Sequence, residues 1–101
     1  MTQVVWSAGA RRGYLDILRH IARDNPDAAD RVADAIGKTG SLLGERPTGR
    51  PGRVSGVYEK SVPRLPCPIA HALTTQGGQE VVAIQRVIHT SRRWTSGEWP
   101  N

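Results

Sequence analysis

Residues 6–32, WSAGARRGYLDILRHIARDNPDAADRV, carry two helix starts within one short window. Ser7 stands where an N-cap hydroxyl can accept from the first turn, directly behind the apolar run Val4, Val5 and Trp6 that reads as a short strand. From Ala8 to Arg23 the residues Tyr14, Ile17, Leu18 and Ile21 recur at helical spacing, while Arg12, Asp16, Arg19 and Arg23 fall on other faces. The pattern predicts an amphipathic helix with one buried stripe. Asn25 can cap a second helix, Pro26 suits its first position, and Asp27 and Asp30 complement the positive end of its dipole. This helix runs through Ala28, Ala29, Val32, Ala33 and Ile36 toward Leu43, and its alanines permit close approach to the first. An antiparallel helical hairpin is expected.

Past Gly44 the texture changes to Gly, Pro and Arg, then to three strand-like runs, Arg53 to Val62, Leu65 to Thr74 and Glu80 to His89. Gly77 and Gly78 mark a tight hairpin between the last two. The order is β-α-α-β-β-β, and the fold class that follows is α+β: an N-terminal helical hairpin packed on one face of a small, mainly antiparallel sheet. A chain of 101 residues makes one domain, spanning residues 1–101.

Cys67 is the single cysteine, so no internal disulfide framework exists and a reducing compartment fits. The start MTQVVWSAGARRG lacks the basic and apolar regions of a signal peptide, and no window approaches a membrane span, so a cytoplasmic protein without a membrane partner is expected. The net charge of +5 is unevenly placed: residues 1–45 hold six cations against six acids. The rest hold Arg46, Arg50, Arg53, Lys60, Arg64, Arg86, Arg92 and Arg93 against three acids, Glu59, Glu80 and Glu98. Such asymmetry suits an anionic partner, nucleic acid or acidic protein, or else an ordinary charged surface.

No phosphate-binding loop, serine elbow or paired His and Cys at metal spacing is present, so no metal and no cofactor are expected. His71 shares its alternate face with Leu65, Cys67, Ile69 and Leu73 and reads as a packed core histidine, with Cys67 as a buried small hydrophobe. His89 closes a strand ahead of Thr90, Ser91, Arg92, Arg93 and Trp94. It is either a general base flanked by guanidiniums or a strand-end histidine bonded to backbone. Trp94 and Trp99 stack on a base or cover the sheet end. In GRPGRVSGVYEK, residues 49–60, Pro47 upstream and Pro51 stiffen a glycine-bearing turn, so Arg50 and Arg53 are held to grip carboxylates or phosphates, or else pair with Glu59 or Glu45.

The string WSAGARRGYLDILRHIARDNPDAADRV, the turn GERPTGRPGRVSGVYEKSV and the ending VVAIQRVIHTSRRW together resemble the ParE branch of the RelE/ParE toxin superfamily over nearly the whole chain. The resemblance implies the toxin of a type II toxin–antitoxin pair, in a toxin–antitoxin hetero-oligomer with a cognate antitoxin, acidic and folding on binding. It also implies a target, DNA gyrase or mRNA on the ribosome. Ribonuclease relatives use lysines on the first meander strand, an arginine on the next and a histidine or aromatic near the C-terminus. Here the first-strand positions are Glu59 and Ser61, the second-strand arginine aligns near Pro68, and only His89 matches, followed by Thr90 in place of the common Tyr. The segment PCPIAHAL also departs from the PYIIAYRV pattern, with Ala72 where an arginine is usual.

A carboxylate where a cation should hold phosphate removes both binding and transition-state stabilisation. The expected activity is therefore gyrase inhibition by a non-enzymatic toxin, with no catalytic residue. The alternatives are a RelE-type endoribonuclease using His89, Arg86, Arg92 and Arg93, and a homologue that keeps antitoxin binding without toxicity. The residues expected to meet target or antitoxin are Arg46, Arg50, Arg53, Lys60, Arg64, Arg86, Arg92, Arg93 and Trp94.

Overall fold

The computed structural model describes residues 2–52, 55–65 and 67–88. Two helices, α1 (Ala8–Ala22) and α2 (Pro26–Glu45), follow a first strand β1 (Gln3–Trp6) and precede β2 (Arg50–Pro51), β3 (Tyr58–Lys60), β4 (Ile69–Gln76) and β5 (Gln79–Val87). Both helix starts are built as their caps dictate. Ser7 Oγ accepts from the Ala10 amide at 3.0 Å and Asn25 Oδ1 from the Ala28 amide at 3.0 Å, each satisfying one of the donors a first turn leaves free.

The five strands form one sheet in the order β1-β5-β4-β3-β2. β1 lies parallel to β5, Val4 beside Val82 and Trp6 beside Ile84, and every other pair is antiparallel. Both helices and the three other strands lie in the chain between β1 and its parallel neighbour β5, ample for the crossover a parallel pair needs. Gly77 and Gly78, with φ of 58° and 80°, make the β4–β5 turn, a backbone that only glycine adopts freely and whose twist matches the strands.

The hairpin covers one face of the sheet. Ile17 and Ile21 from α1, Val32, Ile36 and Leu43 from α2, and Ile69, Val82, Ile84 and Val87 from the sheet form one buried cluster. The inward set on β5 breaks its alternation at Gln85. Ala70 pairs with Arg86 and His71 with Ile84, which leaves Gln85 as an extra residue, a β-bulge. The bulge lets Ile84 and Val87 both face the core while Gln85 and Arg86 stay exposed. Ser7 fastens helix start to bulge: its amide donates to Ile84 O at 3.0 Å and its hydroxyl to Gln85 O at 3.1 Å.

Three expectations change. Among the described residues of the run from Arg53 to Val62, Tyr58–Lys60 form β3, and a two-residue strand the sequence reading did not include, β2, pairs outside it. The run expected from Leu65 starts at Ile69, because Pro63 and Pro68 offer no ladder donor and residues 62–65 close a turn through the Leu65 amide to Val62 O at 3.1 Å. The last strand stops at Val87; its expected end, His89, lies outside the described residues, as do Arg53, Arg92, Arg93, Trp94 and Trp99.

Candidate partner-binding site

Where α2 ends, residues 46–51 form a strap across the edge of the sheet. Arg46, with φ −142° and ψ 102°, is the helix cap and precedes Pro47; Arg50, in β2, precedes Pro51. A residue before proline is pushed into extended backbone, so each arginine leaves the chain in a fixed direction. Between them Thr48 is gripped twice. Its carbonyl accepts from His71 Nε2 at 3.0 Å and its hydroxyl from Lys60 Nζ at 3.1 Å. Gly49 follows with φ 147°, where a Cβ would lie 2.8 Å from Glu59 O and 3.2 Å from His71 Nε2. A side chain there would push the strap off the sheet.

His71 is 1% exposed, with the Tyr58 ring alongside at 6.3 Å between centroids. Because Thr48 O can only accept, Nε2 carries the proton and Nδ1 is a bare acceptor, buried without a partner. Burial lowers the proton affinity of the ring and Lys60 lowers it further, against the opposing pull of the bond to Thr48. Cys67 is equally closed to chemistry, since burial pushes its thiol up to about 12.

Cross-strand partners share a face, so the register sets Arg50, Glu59, Ala70 and Arg86 in one row across the face opposite the helices. Arg50 and Arg86 are exposed at its ends, about 14 Å apart by strand spacing, with the half-buried Glu59 between them. Ala72, one step along β4 on the same face, pairs with Ala83, so neither open-face position on that stretch of β4 carries a cation. Lys60 instead faces the helix side. Arg64 is exposed at φ 66° in the turn of residues 62–65. The ion pair found among the described residues, Arg19 with Asp16 at 3.9 Å, involves none of Arg46, Arg50, Lys60, Arg64 and Arg86. The structure thus sets Arg46 and Arg50 on the strap either side of Thr48, bonds Lys60 to Thr48 from the helix side, places Arg86 across the open face, and leaves Arg64 apart at its own turn.

A second surface was not legible in the net charge. The neutral first half divides in space: the exposed Arg11, Arg12 and Arg19 against Asp16 give α1 +2, while Asp27, Asp30, Asp34 and Glu45 against Arg31 and Lys38 give α2 −2. Between the two helices lies an apolar hollow of about 370 Å³ lined by Trp6, Arg11, Tyr14, Leu15 and Gly37. The Trp6 and Tyr14 rings meet at a tilt of 58° with 5.5 Å between centroids, and Leu15 stays 44% exposed. Burial, then the Asp34 carboxylate, raise the Tyr14 phenol above its ordinary value, which puts Asp34 beside the same hollow. Summing charge by helix instead of by half-chain would have found this. Among the described residues no three His, Cys, Asp or Glu side chains gather as metal ligands, and no helix is long and apolar enough to cross a membrane.

Residues 4–94 match the family described as the ParE toxin of the type II toxin–antitoxin system parDE. This chain belongs to the ParE toxin family. A Sinorhizobium fredii protein named "Putative toxin Y4kP" is 32% identical over 93 residues, covering 91% of this chain and 92% of that protein. A chain of the chromosomal ParDE system from P. aeruginosa has the same fold, with a TM-score of 0.81 at 20% identity over 90% of this chain and 98% of that one. The protein is thus a ParE-family toxin of a type II toxin–antitoxin system, whose partner is an antitoxin. Its two-helix, five-strand α+β architecture is the ParE fold, with a sheet that is parallel at the β1–β5 pair.

Proposed function

We propose that this ParE-family toxin acts by holding a macromolecule and breaks no bond: it engages a DNA gyrase subunit through the arginines of the strap and open face. An antitoxin segment laid into the groove of the helical hairpin neutralises it. The observation that carries the first part is Glu59. Set between Arg50 and Arg86, with alanines at 70 and 72, it repels a phosphodiester at the place where a ribonuclease of this superfamily gathers cations. The same row suits a protein surface, where carboxylates can meet each guanidinium bidentately and a basic group can meet Glu59. Gyrase as the particular target is supported by the family likeness, and a toxin with that target acts in the cytoplasm.

The antitoxin half of the reading rests on the hairpin. An apolar hollow between a net cationic helix and a net acidic one, with Arg11 in its lining and Asp34 beside Tyr14, suits an amphipathic helix whose stripe seats on Trp6, Tyr14 and Leu15. The acidic partner expected from net charge alone becomes one with an acidic flank over α1 and a basic flank over α2.

Purified toxin incubated with gyrase and relaxed plasmid is expected to abolish supercoiling. Unchanged supercoiling at large toxin excess, together with new 5′ ends on translated mRNA by primer extension, would replace this reading with the endoribonuclease. Normal growth on expression without antitoxin would replace both with a homologue that only binds antitoxin.

A further inference from the structure

We infer that His71 is a positioning residue: by holding the Thr48 carbonyl it keeps the strap closed on the sheet, so that Arg46 and Arg50 meet anionic groups of a protein target as a preformed pair. The inference rests on reading these two arginines as target contacts, and goes beyond it by naming the buried group that organises them.

The argument starts from what His71 costs. A buried imidazole with a bare Nδ1 leaves one acceptor without the hydrogen bond it had in water. Its site lies beside Ile69 on its own strand and opposite Ile84, where a Leu would pack with no polar atom to satisfy. Fold stability alone therefore does not call for histidine here. What histidine supplies is Nε2–H, aimed at a carbonyl 23 residues away on the strap.

Without that bond, the strap is tied at its two ends, by the Arg46 amide to Leu42 O at 2.9 Å and by the Gly52 amide to Val57 O at 2.7 Å beside the short β2, while its middle hangs on Thr48. Thr48 is exposed, β2 is two residues long, and the remaining side-chain hydrogen bond to Thr48 comes from Lys60. The two prolines fix the backbone at each arginine, but they do not fix where the segment lies on the sheet. Arginine side chains lose less freedom on binding when their backbone is already placed, which is how a contact that touches no partner strengthens one that does. The clasp also explains the strap's odd glycine: only a residue without Cβ lets the chain pass over His71 Nε2 and Glu59 O.

The test uses the full chain with His71→Leu, His71→Gln and Arg50→Ala. Gln places an amide nitrogen near the position of Nε2, so it restores the donor, whereas Leu removes it. In His71→Leu, amide exchange at Thr48, Gly49, Arg50 and Gly52 is expected to accelerate at least tenfold while that of β4, β5 and the helices is unchanged. The toxin concentration that half-inhibits gyrase, or the induction level that arrests growth, should rise about tenfold, in keeping with the ordering cost of one or two long side chains. His71→Gln should recover both. Nitrogen NMR of the wild-type ring should show a protonated Nε2 and a bare Nδ1. A protonated Nδ1, or strap exchange that stays slow in His71→Leu, overturns the proposal even if Arg50→Ala abolishes toxicity. If the strap loosens in His71→Leu but Arg50→Ala leaves toxicity intact, the clasp is real and the target reading beneath it is what fails.

Discussion

The helical hairpin and the arginine strap are both candidate partner surfaces, yet they are held in opposite ways. The hairpin groove is the outside of the core: its walls belong to helices whose inner faces carry Ile17, Ile21, Val32, Ile36 and Leu43. Its shape persists as long as the protein is folded. The strap buries almost nothing of its own, being exposed from Arg46 to Pro51 and fastened by two hydrogen bonds to Thr48 and a two-residue strand. Segments of that kind open locally at a free energy well below global unfolding. The two sites should thus respond differently to substitution: core changes weaken both together, and strap changes weaken one alone.

The largest effect tests the first half of that statement. Ile36→Ala removes a side chain with 0% exposure from beneath the groove and should cost about 2–5 kcal/mol of unfolding free energy. Urea denaturation followed by Tyr and Trp fluorescence should show one transition at lower urea than in wild type, with the strap amides already exchanging through local opening ahead of it. A strap that keeps its protection after the helices melt would break the comparison. Ser7→Ala comes next, at about 1–2 kcal/mol, because the hydroxyl caps α1 and also ties it to Gln85 O at the bulge. A loss no larger than about 0.3 kcal/mol in the same experiment would mean that solvent replaces both bonds.

Acid should act on the strap side. His71 binds its proton less readily in the folded chain than in the unfolded one, with burial the main cause, Lys60 adding to it and the Thr48 bond opposing. The unfolded state therefore takes up the proton first. The contribution is fully present above about pH 6.5, the ordinary imidazole value, and is lost as pH falls from there through the folded value. The urea midpoint of wild type should drop between pH 7 and pH 5, and that of His71→Leu should drop less. Superimposable profiles would remove His71 as the cause.

How much of this was readable differs between the two regions for the same physical reason. The hairpin is local: Ser7, Asn25, Pro26 and the stripe of Tyr14, Ile17, Leu18 and Ile21 lie within a few turns of what they govern, and Gly77–Gly78 names its own turn. The strap is non-local. Nothing near Thr48 announces a bond from His71, and nothing near Trp6 announces that β1 will lie parallel beside β5. The bulge at Gln85, which turns Arg86 to the open face, also depends on how β5 fits β4 and not on its own composition. What the strap does show locally is proline after Arg46 and after Arg50, and that stiffness was legible. The charge division between α1 and α2 required knowing where each helix ends.

The smallest effect sharpens the comparison at a third place. The Leu65 amide bonds Val62 O at 3.1 Å with Pro63 at the second position and Arg64 at the third, at φ 66°. This is a type II arrangement, whose third position favours glycine. Holding arginine there costs about 1 kcal/mol of backbone strain, partly offset by the greater freedom a glycine would have in the unfolded chain. Arg64→Gly should therefore stabilise the protein slightly, by about 0.5 kcal/mol, in thermal or urea melts. If stability rises while the concentration needed for growth arrest also rises, the strained, exposed cation is kept for contact, as with the clasp at His71. If stability rises and arrest is unchanged, Arg64 is no part of the target surface, and the contact set shrinks to the strap and the open-face row. A destabilised variant would mean that the arginine side chain, not the turn geometry, holds residues 62–65 in place.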